Sequence, residues 1–173
     1  MHVGITIAVL LAVYWKADWK NWRHYHPTLL YVVICNLLYN CLCAGYLLWE
    51  YKPDFLFHHN STDLVYSFIV LPGIALLFLT GYPYETKMKK QFTYISKWVV
   101  LSLIVEGIVL LFGFIVLNRG WKYWMEVPFY FTMYYLIRLH HTRPLLTYVL
   151  SIIIIVFLMN AFDVPFSVPI EKR

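Results

Sequence analysis

The sequence predicts an all-α membrane protein, a polytopic bundle of six transmembrane helices in one domain, residues 1–173. Two observations carry this prediction. The composition is 61% hydrophobic and 13% charged, whereas an average soluble domain has roughly 25% charged residues. The apolar residues also gather into six runs, at 2–15, 27–48, 63–82, 94–117, 121–139 and 144–161. A soluble core of this size cannot use so much apolar surface, so the chain is assigned to a membrane.

Five of the six runs are long enough to cross a bilayer as helices. The second to sixth have roughly 18 to 24 residues, and about 20 helical residues span a hydrocarbon core. The first run is short, and it lacks a basic start and a small-residue cleavage site, so it is interpreted as a retained helix and not as a signal peptide. Residues 16–26 alternate basic and aromatic side chains, which predicts one interfacial helix after the first span.

The basic residues set the predicted orientation. The loops after the first, third and fifth runs hold nine Lys and Arg: Lys16, Lys20, Arg23, Lys87, Lys89, Lys90, Lys97, Arg138 and Arg143. The opposite side holds five: Lys52, Arg119, Lys122, Lys172 and Arg173. Because basic loops stay in the cytoplasm, both termini are predicted outside. The net charge of +5 is then explained by topology and by anionic lipid at the inner face, and no nucleic-acid partner is expected.

Several polar side chains fall near the midpoints of the predicted spans. Glu106 is the most informative, since a carboxylate at that depth is costly without a partner, a proton or a ligand. Asn36, Asn40, Tyr130 and Ser151 lie at a similar depth, and we expect Asn36, Asn40 or Tyr130 to be the neighbours of Glu106. Polar faces of membrane helices must contact protein or water. The sequence therefore predicts an interior pocket between the second, fourth and fifth spans.

Helical spacing extends this polar layer along the fifth span. Glu126, Tyr130, Tyr134 and Arg138 follow one another at i+4 positions and share one face of a helix. Glu126 and Arg138 therefore join the candidate ligand or proton site. The same residues are also explained as structural hydrogen bonds between helices, each worth about 0.6 to 2 kcal/mol. For Asn36 and Asn40 alone, that structural interpretation is favoured.

Four histidines fall on the predicted inner face. They are His24, His26, His140 and His141. Their HxH and HH spacings, with no Cys or carboxylate between them, are weak signals for a metal site, and lipid headgroup contact is favoured. No metal, haem or other cofactor is expected. The chain also lacks HExxH, GxSxG, Walker A and GxGxxG motifs, so an enzyme of a familiar motif class is not expected.

A set of short motifs runs through the chain in order. They are DWKNWRHYHPTLLY, NLLYN, LLWEY, LPGIALLFL, VEGI around Glu106, the pair Gly120-Trp121, and RLHHTRPLL. Together they resemble an uncharacterised family of small multi-pass membrane proteins found mostly in endospore-forming bacteria such as bacilli and clostridia. The resemblance covers nearly the whole chain and implies a bacterial cytoplasmic membrane location. It implies no catalytic residues, because no activity is established for the family.

These observations predict a non-enzymatic membrane protein whose polar layer around Glu106 binds a small ligand, ion or proton. Such a protein would act as a sensor or minor transporter. A transport pathway in so short a chain would need a homo-oligomer, and Ala8 with Ala12 offers a small-residue face for close helix contact. The alternative is a structural or assembly partner in the cell envelope. A third interpretation is a membrane enzyme that uses Glu106 and the inner-face histidines.

Overall fold

The chain folds into a bundle of helices with a short β ladder at one end. The computed structural model describes residues 1–52 and 59–169, without the side chains of 59 and 60. The helices are α1 (His2–Lys16), α2 (Trp22–Leu42), α3 (His59–Val65), α4 (Leu71–Thr80), α5 (Met88–Leu111), α6 (Glu126–Thr142) and α7 (Pro144–Ala161). A π-helical turn, Tyr66–Val70, joins α3 to α4 in one continuous segment. The predicted all-α class is confirmed.

Three of the described helical segments are long and apolar enough to cross a membrane. They are Ser61–Thr80, Met88–Leu111 and Pro144–Ala161. Such helices are those of a membrane-embedded protein, as the composition predicts. The apolar helix α1 has only 15 residues, and α6 has 17. The 21 residues of α2 include the polar start WRHYHP, which lowers the hydropathy of that helix.

Two predicted runs extend past the ends of their helices. α2 ends at Leu42, and the chain then turns into strand β1 (Trp49–Tyr51). α5 begins at Met88 and ends at Leu111, and strand β2 (Ile115–Leu117) follows it. The predicted run 94–117 therefore contains both the apolar part of α5 and the apolar strand β2, which composition alone does not separate. As a consequence Glu106 lies in the last two turns of α5, closer to the end of that helix than its place in the predicted run 94–117 suggested.

The predicted interfacial helix is also absent from the connection between α1 and α2. Ala17 has extended backbone, a 3-10 turn follows at Trp19–Asn21, and α2 begins at Trp22. Asp18 holds this turn, because it accepts hydrogen bonds from Asn21 Nδ2 at 2.8 Å and from Tyr25 Oη at 3.4 Å. Residues 22–26 therefore form the first turn of α2 and no separate surface helix.

The ladder ties two distant connections together. β1 and β2 pair antiparallel, with Trp49 opposite Leu117 and Tyr51 opposite Ile115. Gly113, at φ +72°, lets the chain turn sharply after α5 into β2. We call this part of the molecule the ladder end, and it is the end of α5 at which Glu106 lies. The sequence analysis did not predict these strands.

The core lies around α4, and α7 lies at the edge. Ala75, Phe78 and Leu79 on α4 are fully buried, and α4 packs against α1, α2 and α6. α5 and α7 both pack against α6. Only 11% of α7 is buried inside the protein, so most of its apolar surface faces outward. α6 is thus the helix that connects the core, the Glu106 end of α5 and the peripheral helix.

Candidate functional site

A buried carboxyl group joins α5 to α6 at the ladder end. Glu106 is only 7% exposed, and Tyr130 on α6 donates a 2.8 Å hydrogen bond to its Oε2 atom. Tyr130 was one of the three neighbours expected from the sequence, and the structure brings it to Glu106. The contact is of the kind that satisfies a carboxyl group away from water.

A second carboxyl group lies beside the first. Glu126 is 3% exposed, and its carboxyl group is in direct electrostatic contact with that of Glu106. The indole Nε1 of Trp121 donates a hydrogen bond to Glu126 Oε1. The two acids thus each have one neutral donor, and no cation faces the pair among the contacts that the structure describes for it. We call Glu106, Glu126, Tyr130 and Trp121 the carboxyl-pair site.

The segment between β2 and α6 builds the Glu126 side of the site. Gly120, at φ +84°, allows the turn that places Trp121 in the interior, where it is 5% exposed. A 3-10 turn, Tyr123–Met125, then leads into α6, so that Glu126 is the first helical residue. A carboxylate is favourable at that position because the helix N-terminus carries partial positive charge.

Gly107 allows the same segment to approach α5 closely. The Tyr123 hydroxyl donates a 2.5 Å hydrogen bond to the Leu103 carbonyl. A Cβ atom at position 107 would lie 2.9 Å from that hydroxyl oxygen. The Glu-Gly pair in the VEGI motif therefore has a local reason: the acid joins the site, and the glycine leaves room for the Tyr123 hydroxyl.

A second buried polar group, missed by the sequence analysis, lies nearby. His2 is fully buried, with Nδ1 2.9 Å from Tyr66 Oη and Nε2 3.2 Å from the Lys52 carbonyl oxygen. The rings of Tyr51 and Tyr66 are 4.3 Å apart, and Tyr51 lies within electrostatic reach of Glu106 and Tyr130. The signal in the sequence was a histidine at the start of an apolar helix. Tyr51 was not among the residues predicted for the site.

The other residues of the predicted polar layer bond elsewhere. Asn36 donates a 2.7 Å hydrogen bond to Ser67 Oγ, and Ser151 Oγ lies 2.7 Å from Tyr31 Oη. Asn40 is half-buried, and its side chain has no hydrogen bond within the described parts of the chain. Of the three neighbours expected for Glu106, Tyr130 is the one that bonds to it among the described contacts. Two side chains at the same depth are not necessarily neighbours, because the rotation of each helix about its axis decides which way a side chain points.

Arg138 belongs to the opposite end of α6. Its Cζ atom lies 5.8 Å from the centre of the Tyr82 ring, and its Nε atom is buried without a hydrogen-bond partner in the described structure. Glu126, Tyr130, Tyr134 and Arg138 therefore share one face of α6, but the two ends of that face take part in different contacts. Arg138 is not part of the carboxyl-pair site.

The four histidines predicted at the inner face make separate contacts. The rings of His24 and His141 are 4.4 Å apart, and Tyr25 stacks on His141 at 5.4 Å. His140 bonds through Nδ1 to Thr28 Oγ1 at 3.0 Å, while the exposed His26 lies against Trp22. Within residues 1–52 and 59–169, no three His, Cys, Asp or Glu side chains are grouped so that they could hold a metal ion.

The histidine cluster also has a distinct electrostatic setting. His141 follows the predicted span 121–139 and is half-buried. Burial lowers the pKa of the His141 imidazole to about 4, with further lowering from the neighbouring His24, His140 and Arg138. His141 is therefore neutral at physiological pH.

A cavity of about 220 Å³ lies between α2, α6 and α7. Asn36 and Ser151 line it, but Glu106 does not. This cavity is not the polar pocket predicted between the second, fourth and fifth spans, because it lies against α7 and not α5 and Glu106 does not line it. No family model matches the chain, and neither does any curated protein or solved structure.

Proposed function

We propose that the protein is a multi-pass protein of the bacterial cytoplasmic membrane that binds a proton at the Glu106–Glu126 pair. In this proposal it acts as a sensor or minor transporter. The observation that supports it is the contact of two buried carboxyl groups, each with one neutral hydrogen-bond donor. The donors are the Tyr130 hydroxyl and the Trp121 indole.

The chemistry of such a pair favours a proton as the bound species. Two carboxylates in contact repel each other strongly when water is excluded, so one proton shared between them is the stable state. The remaining negative charge is held by the donors of Tyr130 and Trp121. A change in pH or membrane potential would then act on one site and alter the contact between α5 and the start of α6.

The membrane arrangement is part of the proposal. We place six spans in the bilayer, with α1, α2 and the part of α6 up to residue 139 crossing beside the three long apolar segments, so that His140 and His141 lie at the inner surface. Both termini lie outside, and the basic inner loops contact anionic lipid. The motifs around Glu106 and through the rest of the chain support the family resemblance to small membrane proteins of endospore-forming bacteria. A transport pathway would be formed by a homo-oligomer.

A structural role in the cell envelope is the second candidate. Three interhelical pairs favour it, since each satisfies its own polar groups without any ligand: Asn36 with Ser67, Tyr31 with Ser151, and Ser102 with Tyr134 at 2.7 Å. Side-chain hydrogen bonds of this kind fix helix contacts in membranes. The two candidates differ in what they require of Glu106, because a scaffold needs its shape and a proton site needs its acidity.

Infrared difference spectroscopy on the protein in vesicles tests the proposal. Stepping the pH should produce a carboxylic acid C=O band that is lost in both Glu106→Gln and Glu126→Gln, because each keeps the shape and removes the shared proton. The exposed Glu85→Gln serves as the matched control and should leave the band unchanged. A band that survives in both pair variants would contradict proton binding and favour the scaffold.

A further inference from the structure

The cavity is a gap between α2 and α7, which both pack against α6. α6 packs against α2 on one side and against α7 on the other. The Tyr31–Ser151 hydrogen bond, at 2.7 Å, links α2 to α7 at one end of the gap. Leu48, Trp49 and Val164 line it toward the ladder end. The cavity of about 220 Å³ extends along the helices from the Tyr31–Ser151 pair to Leu48, Trp49 and Val164.

The lining of this cavity is almost entirely apolar. Its principal polar side chains already have partners: Tyr31 bonds to Ser151, Asn36 to Ser67, and Thr132 to the Pro128 carbonyl. The Tyr39 hydroxyl is likewise bonded to backbone atoms of Leu48 and Trp49. Most of the polar groups in the lining thus already have partners within the protein, and a polar or charged ligand would replace little of its lost hydration there. Hydrocarbon is the chemistry that fits.

The size of the cavity narrows the occupant further. Pockets for drug-sized molecules usually measure roughly 300–1,000 Å³, whereas an apolar cavity of about 150 Å³ is enough for benzene. The observed 220 Å³ lies between these values. It suits a short stretch of one hydrocarbon chain and excludes a larger ring system.

The cavity also reaches the outward face of the bundle. Leu38 lines it and is 37% exposed, next to the exposed Ile34 on the same helix. On α7, Ile155 lines the cavity, whereas the adjacent Ile152 and Val156 are 61% and 53% exposed. In a membrane-embedded protein these exposed apolar rows face lipid. Lipid chains are thus the hydrocarbon that lies next to the opening.

We infer that the cavity between α2, α6 and α7 holds the end of one acyl chain of a membrane phospholipid. Lipid tails are as apolar as leucine, so transfer from the bilayer gives little hydrophobic gain. The gain comes instead from packing, because an unfilled gap forfeits the dispersion contacts of every atom that lines it. The inserted chain would act as a wedge between α2 and α7. This inference does not depend on the proposed function of the carboxyl pair.

Photo-cross-linking tests the inference directly on the full chain. The protein is reconstituted in phosphatidylglycerol vesicles that contain a fraction of lipid with a diazirine near the end of one acyl chain. After illumination, adducts should be enriched several-fold at Met133, Leu136 and Ile155, which line the cavity, over Ile152 and Val156. Equal labelling around α7 would overturn the inference.

A matched pair of variants gives the second arm. Ile155→Trp fills the cavity and should reduce adducts at Met133 and Leu136 several-fold. Ile153→Trp places the same side chain on the exposed side of α7, where Ile153 is 59% exposed, and should leave them unchanged. Both variants are compared at equal monodispersity on gel filtration. Adducts that persist in Ile155→Trp, or a compound other than phospholipid released by that change, would overturn the inference.

Discussion

Tyr130 on α6 and Glu106 on α5 are joined by a 2.8 Å hydrogen bond, and one turn further along α6 Tyr134 is joined to Ser102 of α5 at 2.7 Å. The same pair of helices is thus linked twice by tyrosine hydroxyls, once to an acid and once to another hydroxyl. The two links offer a comparison in which the ring, the helix pair and the deletion are identical. The principal difference is the partner left behind, although Tyr134 is also more deeply buried than Tyr130.

Removing the Tyr130 hydroxyl should therefore cost more than removing that of Tyr134. Tyr130→Phe leaves a buried carboxyl group without its donor, and we expect a loss of about 1–3 kcal/mol in the free energy of unfolding. Tyr134→Phe leaves Ser102, which can bond to its own helix backbone, so a smaller loss of about 0.6–1.5 kcal/mol is expected. Unfolding in detergent micelles, monitored by circular dichroism, gives both values. A larger loss in Tyr134→Phe would contradict the assigned importance of the acid.

The contact between α1 and α4 depends on a glycine. A Cβ atom at Gly73 would lie 2.7 Å from Val9 Cγ1 and 3.4 Å from Val13 Cγ2, so a side chain there pushes the helices apart. Gly73→Val is expected to destabilise the fold by about 1–3 kcal/mol through overpacking. Gly4→Val on α1 is the control, since nothing lies within 4 Å of a Cβ at Gly4. Equal thermal stability of the two variants would show that α1 can move away from α4 without a loss of stability.

The sequence predicted the parts of this structure that follow from composition and helical spacing. It predicted the all-α class, and it predicted Tyr130 as a neighbour of Glu106 because both were assigned a similar depth in adjacent spans. It could not place the β ladder, since an apolar strand that continues an apolar helix has the same composition. For that reason Glu106 was put at the middle of a span and not near the end of α5.

Rotation of the helices about their own axes was the second quantity that the sequence did not supply. Ala8, which with Ala12 was proposed as a face for close helix contact, is exposed in the single chain, so any such contact would be with another protein copy. The close approach of α1 occurs at Val9, against Gly73. Glu126 and Trp121 meet because of a turn with positive φ at Gly120, and no periodic pattern reports such a turn.

The orientation of the chain in the membrane rests on the count of basic loop residues and can be tested by labelling. Single cysteines are introduced after Cys35, Cys41 and Cys43 are replaced by alanine. Lys89→Cys and Thr142→Cys, both exposed positions, should be protected from an impermeant thiol reagent added to intact cells, because basic loops remain inside. Arg119→Cys, which is also exposed, should be labelled. Labelling at position 89 from outside would reverse the proposed topology.

His141 should make the stability of the protein depend on pH in a defined window. In the unfolded chain a histidine titrates near pH 6.5, at roughly its unperturbed value, whereas burial and the nearby His24, His140 and Arg138 lower the pKa of His141 to about 4 in the folded protein. Below about pH 6.5 the imidazole of the unfolded chain therefore binds a proton more readily than that of the folded protein. Stability should therefore fall as the pH drops from about 6.5 towards 4 and be unaffected by His141 above that window.

The substitution His141→Gln removes this contribution and should flatten the fall in melting temperature between neutral and acidic pH. His26→Gln is the matched control, because His26 is exposed and lies only against Trp22. The acidic residues titrate equally in both variants, so the difference between their pH profiles isolates His141. Identical profiles would show that the imidazole takes up its proton in the folded protein without cost, and that its contacts with Tyr25 and His24 do not hold it neutral.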